Sequence, residues 1–510
     1  MKKGIIIGLS AIMLGSFTAC ESYLDIFPDD NITEATFWNE PGDATLALNG
    51  AYKSLMERHV LGYGPGYDAA TPNAFQWAYW ENMLMQIGNG TITPSSNYIV
   101  RDRWTFCYQG IHRVNYILEN IDKIPNMDAK EKERILGEAY FLRGLYYDLM
   151  ARIYGGVPIV TKSITTEESK TLSRNTVQEV WAQVHSDFDE AIKRLPVNGV
   201  AGQATLGAAY GLKMKSYLYT SQWDKVLEYI EKLEGLNKYK LYPSYQGLFQ
   251  LENEGNDETV FALSFMAGPY SQGSIYDRFF QPQNLKYGID GSNSVAPTQL
   301  LVDEYETIDG SPVDPANPFN NRDPRLDFTI LRPGAYFQGQ LYPDEIQNHA
   351  SATIGYGFRK YTIETQVIIQ NESPLDFMYL RYGDVLLCKA EALIETGQNI
   401  DGAIDIINRI RTERTDVKLT PIKKGLGQAE ARKVLRHERR IELAFEGQFW
   451  DDIKRWNAGP EFYPCVVVRP DGGVLDRKFP NGYNLEKDNL LPIHNDERAI
   501  NPNLEQNPGY

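Results

Sequence analysis

Aromatic and amide side chains alternate between Leu61 and Arg103, and this mixture suits the binding of a sugar. A sugar ring carries a patch of C–H bonds that lies well on an aromatic face, while its hydroxyl groups need amide or charged partners. Our candidates for ligand contact in this insert are Trp77, Tyr79, Trp80, Asn82 and Tyr67. Because long loops also hold themselves together with aromatic side chains, packing is the alternative for any single ring.

A second group of rings and amides lies between Tyr270 and Tyr287. Its members are Tyr270, Tyr276, Phe279, Phe280 and Tyr287, with Gln272, Gln281, Gln283 and Asn284. Ligand contact is one interpretation of this group, and on that basis Tyr287 joins the candidates. Loop packing and contact with a partner protein are the alternatives.

Three carboxylates recur at four-residue steps near the end of the chain, at Glu438, Glu442 and Glu446. On a helix this spacing puts their Cβ atoms roughly 5–6 Å apart, which is close to the separation of the paired acids of glycosidases. The same segment is rich in arginine, at Arg432, Arg436, Arg439 and Arg440. We therefore interpret the carboxylates as an ion-pair network, with a glycoside hydrolase as the alternative. Since a helix carboxyl terminus disfavours a carboxylate, Glu446 is expected to pair with a Lys or Arg from elsewhere.

Other catalytic patterns are absent from the sequence. It has no Gly-rich phosphate loop, no Gly-x-Ser-x-Gly elbow and no Cys-His nucleophile pair. The six histidines are scattered without ligand spacing, so neither a metal nor a cofactor is expected. Asp451 and Asp452 are adjacent on a predicted helix and are expected to face solvent.

Composition narrows the class of partner. The chain has 510 residues, 42% of them hydrophobic, and 51 basic against 67 acidic side chains give a net charge of −16. An acidic protein without a basic face does not bind a nucleic-acid backbone. The 32 Tyr, 21 Phe and 8 Trp residues are too many rings for a core alone, which favours a surface that stacks against a ligand.

Helical periodicity supplies the elements that must position these residues. Apolar residues recur at three- and four-residue steps, as at Val385, Leu386, Ala390 and Ile394, and predict helical hairpins over 43–124, 131–195, 205–234 and 382–414. Further helices over 428–457 close the array. Each hairpin can bury its apolar stripe only against a neighbour, so the fold class is mainly α, with tetratricopeptide-like hairpins stacked into a superhelix. The part from 238 to 377 is loop-rich, with short strands such as 259–265.

The amino terminus has the pattern of an export signal. Lys2 and Lys3 precede an apolar stretch from Ile5 to Leu14, which is too short to span a bilayer. Small residues before Cys20 resemble a lipoprotein processing site, with ordinary cleavage nearby as the alternative. We divide the start into a signal peptide, 1–19, and an acidic tether, 20–42. The other cysteines, Cys107, Cys388 and Cys465, are odd in number, and the first two are expected to be buried in helices.

Ordered motifs along the chain resemble the SusD/RagB family. They include Leu380-Arg381-Tyr382-Gly383-Asp384, Ala390-Glu391-Ala392, Glu438-Arg439-Arg440-Ile441-Glu442-Leu443, Tyr154-Gly155-Gly156-Val157-Pro158 and Tyr23-Leu24-Asp25. The resemblance implies an outer-membrane lipoprotein of Bacteroidetes, acylated (for example with palmitate) at Cys20 and exposed at the cell surface. It also implies an amino-terminal helical region over 43–237 with the insert 61–103, and a carboxy-terminal region over 378–510.

The resemblance and the aromatic insert lead to one hypothesis. The protein is expected to bind oligosaccharide nutrients and deliver them to a SusC-like TonB-dependent transporter, without catalysis. One alternative is the same fold capturing peptides, since some members of the family are associated with peptides and aromatic grooves serve either ligand. Others are the glycoside hydrolase with paired carboxylates and a pure assembly scaffold.

Overall fold

The structure is a computed structural model that describes residues 37–77, 84–268, 272–282, 291–343, 354–364 and 372–510. About 48% of the described residues are helical, which confirms the mainly α class. The predicted signal peptide, Cys20 and the first part of the predicted tether lie outside the described residues.

The helices follow one another along the whole described chain. They are α1 (Pro41–Leu55), α2 (Leu84–Gly88), α3 (Asp102–Asn120), α4 (Ala129–Tyr154), α5 (Thr166–Ser169), α6 (Val177–Ile192), α7 (Leu206–Tyr219), α8 (Trp223–Glu234), α9 (Tyr276–Phe280), α10 (Gln299–Glu304), α11 (Arg325–Thr329), α12 (Tyr382–Thr396), α13 (Ile400–Thr412), α14 (Gln428–Glu442), α15 (Phe449–Arg455), α16 (Gly459–Phe462), α17 (Leu485–Asp488) and α18 (Asn495–Ile500).

The predicted hairpins are present. α1 packs against α3, α4 against α6, α7 against α8, and α12 against α13, while α14 packs on α12 and closes the array. Local signals end and begin these helices as expected. Gly397 terminates α12 with a left-handed φ of 66°. Thr176 caps α6 in a capping box. Its hydroxyl accepts from the backbone N–H of Glu179, and the Glu179 carboxylate accepts from the backbone N–H of Thr176.

Short antiparallel pairs tie distant parts of the chain together. The strands are β1 (Ala74–Gln76), β2 (Thr259–Leu263), β3 (Val295–Pro297), β4 (Ile330–Leu331), β5 (Tyr336–Phe337), β6 (Gln340–Leu341), β7 (Gly357–Phe358), β8 (Phe377–Arg381), β9 (Cys465–Val468) and β10 (Val474–Lys478). Their pairs are β1 with β3, β2 with β8, β4 with β7, β5 with β6 and β9 with β10. They form small ribbons on the helical body.

One helix start is confirmed and one helix end differs from the sequence prediction. α12 begins at Tyr382, where the hairpin predicted over 382–414 begins, directly after β8 ends at Arg381. Within 428–457 the sequence predicts that the first helix continues to Gly447, but α14 ends at Glu442, where a turn begins. The local periodicity does not contain this end.

One continuous apolar core runs through the helical hairpins and the inner faces of β2 and β8. Cys107 and Cys388 are buried free thiols within it, as predicted, and Cys465 is half-buried. No helix among the described residues has the length and hydropathy to cross a membrane.

Candidate ligand-binding face

The aromatic insert and the loop-rich region meet in one ribbon. β1, from the insert, pairs antiparallel with β3 in the register Ala74 with Pro297, Phe75 with Ala296 and Gln76 with Val295. The backbone N–H of Trp77 continues the ladder by donating to the Ser294 carbonyl oxygen at 3.2 Å. The chain therefore leaves β1 at the same end of the ribbon at which it enters β3.

Trp77 is fixed at this end of the ribbon. Its indole N–H donates to the carbonyl oxygens of Ser292 and Asn293, at 3.2 and 3.0 Å. The half-buried ring rests on a small apolar cluster of Phe75, Ala296, Ile354 and Val467. The hydrogen bonds of the N–H group and the packing on this cluster fix the orientation of the ring. A ligand that binds to such a ring causes little further loss of side-chain entropy.

The other candidates of the two groups lie outside the described residues. Tyr79, Trp80 and Asn82 fall in residues 78–83, and Tyr287 falls in residues 283–290.

The flanks of residues 283–290 lie against each other. The Asn293 N–H donates to the Gln281 carbonyl oxygen at 3.1 Å. A Cβ atom on Gly291 would collide with the carbonyl oxygens of Gln281 and Pro282, so only glycine permits this approach. The described flanks of this segment, Gln281 and Pro282 on one side and Gly291 to Asn293 on the other, are therefore in direct contact.

Tyr67 is placed differently from these candidates. It is 7% exposed, its hydroxyl donates to the Val60 carbonyl oxygen at 3.1 Å, and the Arg103 guanidinium covers its ring at 4.9 Å from the centroid. Both the polar end and one face of this ring are therefore occupied within the protein. This packing argues against ligand contact by Tyr67, and we leave it out of the proposed site.

The described rings of the second group are also packed. Tyr276 and Phe280 of α9 are fully buried and stack on each other at 5.6 Å, and Phe280 meets Phe445 edge-on at 4.9 Å. Phe279 is 9% exposed. For these rings the loop-packing interpretation applies. Tyr270, Gln283 and Asn284 lie outside the described residues, and Gln272 is exposed.

Polar side chains beneath the face are buried and partly paired. Asp277 accepts from the Ile363 N–H at 2.7 Å, and burial raises its pKa to about 6. Gln338 donates to the Gln281 side-chain oxygen at 3.4 Å and to the Ile363 carbonyl oxygen at 3.1 Å. These bonds connect α9, the turn after β5 and the segment before residue 365 into a single support.

The carboxylates considered for catalysis belong to an ion-pair network. Glu438 is 1% exposed and accepts from Arg325 at 2.6 Å and from Arg411 at 3.0 Å. Burial by itself raises the pKa of Glu438, but Arg325 and Arg411 outweigh burial and hold it below its ordinary value. Glu442 is fully buried among Arg325, Arg381 and Arg414, and its pKa is lowered in the same way. Neither group is a raised-pKa acid of the kind that protonates a leaving group.

Glu446 finds its partners outside its own segment, as predicted. Lys360 donates to it at 2.6 Å, and Arg381 forms a bidentate pair with it at 2.7 and 2.8 Å. Removing one partner from a buried pair of this kind is strongly destabilising, so these contacts have a structural role.

The expectation that Asp451 and Asp452 face solvent is wrong. Asp452 is 4% exposed and accepts from Arg439 at 3.0 Å and from Arg455 at 2.8 Å. Asp451 is half-buried and accepts from Arg152 at 3.0 Å. Helices α4 and α14 cover α15 on these sides and bring the arginines to it, which the sequence of α15 alone could not show.

Sequence analysis missed the residues that support Trp77. Ser292 and Asn293 act through their backbone carbonyl oxygens, and Ile354 and Val467 through apolar contact. Backbone acceptors carry no side-chain signal, and isolated apolar residues in loops are common. Within the described ranges, no group of three or more His, Cys, Asp and Glu side chains is arranged to hold a metal ion.

Comparison with known proteins identifies the family. A family model described as "SusD family" matches residues 257–510, and one described as "Starch-binding associating with outer membrane" matches residues 22–218. SusD-like protein P38 of Formosa agariphila is 28% identical, and the alignment covers 98% of both chains.

Solved structures agree over most of the chain. A SusD-like carbohydrate-binding protein from Bacteroides fragilis is 26% identical with a TM-score of 0.79, covering 92% of this chain and 100% of that one. Another SusD-like protein from Bacteroides fragilis is 25% identical with a TM-score of 0.80, covering 95% and 100%. The helical hairpins, the motifs and these matches show that the chain belongs to the SusD/RagB family.

Proposed function

We propose that the protein is a surface-exposed lipoprotein of the outer membrane that binds an oligosaccharide and delivers it to a SusC-like TonB-dependent transporter. Trp77, Tyr79, Trp80, Asn82 and Tyr287 form the proposed ligand-binding face, and Cys20 carries the lipid. The protein performs no catalysis. The helical body supplies the rigid surface for the transporter.

One observation carries the proposal. The indole of Trp77 is bonded to the backbone of Ser292 and Asn293, at the end of the ribbon that joins the aromatic insert to the loop-rich region. A rigidly held aromatic ring in segments rich in further rings and amides supplies the kinds of side chain that a sugar requires.

The comparisons support the class of ligand and the location. One structural relative with 26% identity is described as carbohydrate-binding, and the model that matches residues 22–218 is described as starch-binding and associating with the outer membrane. The arginine-paired burial of Glu438 and Glu442 supports the absence of catalysis by these residues.

Isothermal titration against a glycan panel and a peptide panel tests the ligand class. We expect binding to a glycan, and a fall in affinity of tenfold or more in the double variant Trp77→Ala with Trp80→Ala, as for a binding hot spot. The matched control is Trp223→Ala, which removes another half-buried tryptophan at the start of α8. Unchanged glycan affinity in the double variant would reject the site, and binding to peptides alone would reject the ligand class.

Two further measurements test delivery and catalysis. Purification from native membranes is expected to recover a TonB-dependent transporter with the protein. Incubation with the bound glycan is expected to produce no new reducing ends. New reducing ends that disappear in Glu438→Gln would establish the hydrolase alternative instead.

A further inference from the structure

An apolar groove of about 500 Å³ lies between α3, the segment after α4 and the carboxy-terminal tail. Its floor is one side of α3, with Tyr108 and His112. Its walls are Ile164 and Leu172 from the segment after α4, and Ile500 and Leu504 from the carboxy-terminal tail. Ile500 is 58% exposed although it is a large aliphatic residue. An exposed apolar surface of this kind usually meets a partner.

Buried amides hold the groove open in a defined shape. Asn501 donates to the carbonyl oxygens of Ser169 and Leu172, at 3.1 and 2.8 Å, and joins the two walls. On the other side, Asn115 of α3 donates to the Val160 and Lys162 carbonyl oxygens, at 3.0 and 3.1 Å. The groove is therefore pre-formed, and its occupant does not have to order it.

The lining indicates the chemistry of the occupant. The lining surface is mainly apolar, with Gln109, Arg113 and Glu497 among its polar members. The Tyr108 hydroxyl is already used, because it donates to the Pro158 carbonyl oxygen at 2.7 Å. A sugar would leave most of its hydroxyl groups without partners on the aliphatic walls, whereas leucine, isoleucine and phenylalanine side chains would bury apolar area. The groove therefore favours an apolar peptide segment over a glycan.

The described chain begins at one end of this groove. Trp38 meets Tyr116 of α3 edge-on, with ring centroids 5.5 Å apart. Tyr116 stacks in turn on His112 at 6.5 Å, and His112 lines the groove. Tyr116, His112 and Tyr108 follow each other at four-residue steps along one side of α3. The residues that precede Phe37 therefore join the body one helical turn from the groove.

The segment that precedes Phe37 has the required length and side chains. Residues 21–36 are acidic but contain one apolar group, Tyr23, Leu24, Ile26 and Phe27. Phe27 lies ten positions before Phe37, and this stretch can span about 35 Å when extended. The stretch of α3 from Tyr116 back to Trp104 is only about 18 Å long. We propose that this groove receives the chain's own tether, with Leu24, Ile26 and Phe27 between α3 and the carboxy-terminal tail.

Docking of the tether sets the orientation of the protein. With Leu24 to Phe27 seated, only the few residues after Cys20 remain as a linker to the lipid that the proposed function places there. The groove side of the body then faces the membrane. The groove contact itself does not depend on ligand binding or on lipidation.

Photo-crosslinking in the full chain tests this docking. The photoreactive residue p-benzoyl-phenylalanine replaces Phe27 in protein purified from native membranes, and mass spectrometry locates the crosslink. We expect crosslinks within the same chain, to residues 104–113, 160–172 or 500–504. Ile500→Glu should reduce their yield by about tenfold, the ratio that 1.4 kcal/mol produces. Leu46→Glu on α1 is the matched control, because Leu46 is also a 58% exposed aliphatic residue, and it should leave the yield unchanged.

Each other outcome overturns the proposal. Crosslinks at the mass of a dimer would assign the groove to a second copy of the chain, and crosslinks to another protein would assign it to a partner. Crosslinks elsewhere in the same chain, or none, would show that the tether does not dock. An equal loss of crosslink yield in Ile500→Glu and Leu46→Glu would show that the tether does not contact the groove. Glycan affinity measured on the same variants separates failure of this docking from failure of the ligand site.

Discussion

The indole N–H of Trp77 lies 3.2 Å from the Ser292 carbonyl oxygen and 3.0 Å from that of Asn293, although these residues follow it by 215 and 216 positions. A single side chain of the insert thus holds the backbone of the loop-rich region. The bond fixes the indole plane, and with it the geometry of the proposed ligand face.

Replacing Trp77 by phenylalanine separates the ring from its anchor. Trp77→Phe keeps an aromatic face but loses the shared N–H donor, so we expect a loss of about 1 kcal/mol in the free energy of unfolding. Its glycan affinity should fall less than that of Trp77→Ala. Urea unfolding and calorimetric titration measure the two effects. If Trp77→Phe loses as much affinity as Trp77→Ala, the position of the backbone, and not ring contact, controls binding.

Removing Arg381 tests the buried ion network. Its guanidinium contacts Glu258 at 2.8 Å, Glu442 at 2.9 Å and Glu446 at 2.7 Å, and the residue is 1% exposed. Arg381→Met leaves buried carboxylates short of a cation, and we expect about 3–5 kcal/mol of destabilisation in guanidinium chloride unfolding.

An exposed ion pair is the control for that variant. Lys424 and Asp405 pair at 2.7 Å with side chains 52% and 55% exposed, so Lys424→Met should cost less than about 1 kcal/mol. Equal effects of the two substitutions would contradict the assignment of Arg381 to a buried network.

Asp277 should make stability depend on pH. Its buried carboxyl group has a pKa raised from 3.8 to about 6, so between these values the folded state binds a proton that the unfolded state has lost. Its contribution to the free energy of unfolding therefore falls as pH rises from about 4 to about 6. Asp277→Asn removes this loss. The free energy of unfolding of the variant, relative to that of the wild type, should therefore rise by up to about 3 kcal/mol between pH 4 and pH 6.

Asp309 supplies a control of opposite sign. Hydrogen bonds from Ser311 lower the pKa of Asp309 to about 2. Its contribution is therefore present above about pH 4 and is lost as pH falls towards 2. In thermal unfolding across a pH series, the stability of Asp309→Asn relative to wild type should therefore fall as pH rises from about 2 to about 4, which is the opposite sign to Asp277→Asn. A pH-independent difference for Asp277→Asn would contradict burial as the cause.

The lipid anchor is tested at Cys20. Several acyl chains are needed for stable attachment, because one alone binds a bilayer marginally. Cys20→Ser should therefore move the protein from the membrane fraction to the soluble fraction and abolish palmitate labelling. Cys465→Ser, at a half-buried thiol, should change neither. Persistent labelling of Cys20→Ser would assign the lipid to another residue.

Local patterns predicted the helices well. The apolar period of α12, the glycine at its end and the capping box at Thr176 all act within a few residues, so they are readable without the fold. The pairing of Glu446 with a distant cation was also predicted, but from a helix carboxyl terminus that the structure places earlier, at Glu442. Which cations would provide it, Lys360 and Arg381, was not.

The burial of polar side chains was the property that the sequence predicted least well. Tyr67 and Asp452 carry polar atoms and lie in segments with no clear apolar face, yet both are buried, at 7% and 4% exposure. Their partners come from other elements, Arg103 of α3 for Tyr67 and Arg439 of α14 for Asp452. Whether a polar side chain faces solvent depends on such neighbours more than on its own helix.

By itself, the sequence determined the helical hairpins, the family and the choice of an aromatic insert as the place to look for a ligand, because periodicity, caps and motifs are local. Only the tertiary structure decided which of the described rings are packed inside the protein. It buried Tyr67 beneath Arg103, anchored Trp77 on Ser292 and Asn293, and joined the insert to the loop-rich region through β1 and β3. These outcomes depend on contacts between residues that are distant in the chain, and no local pattern records them.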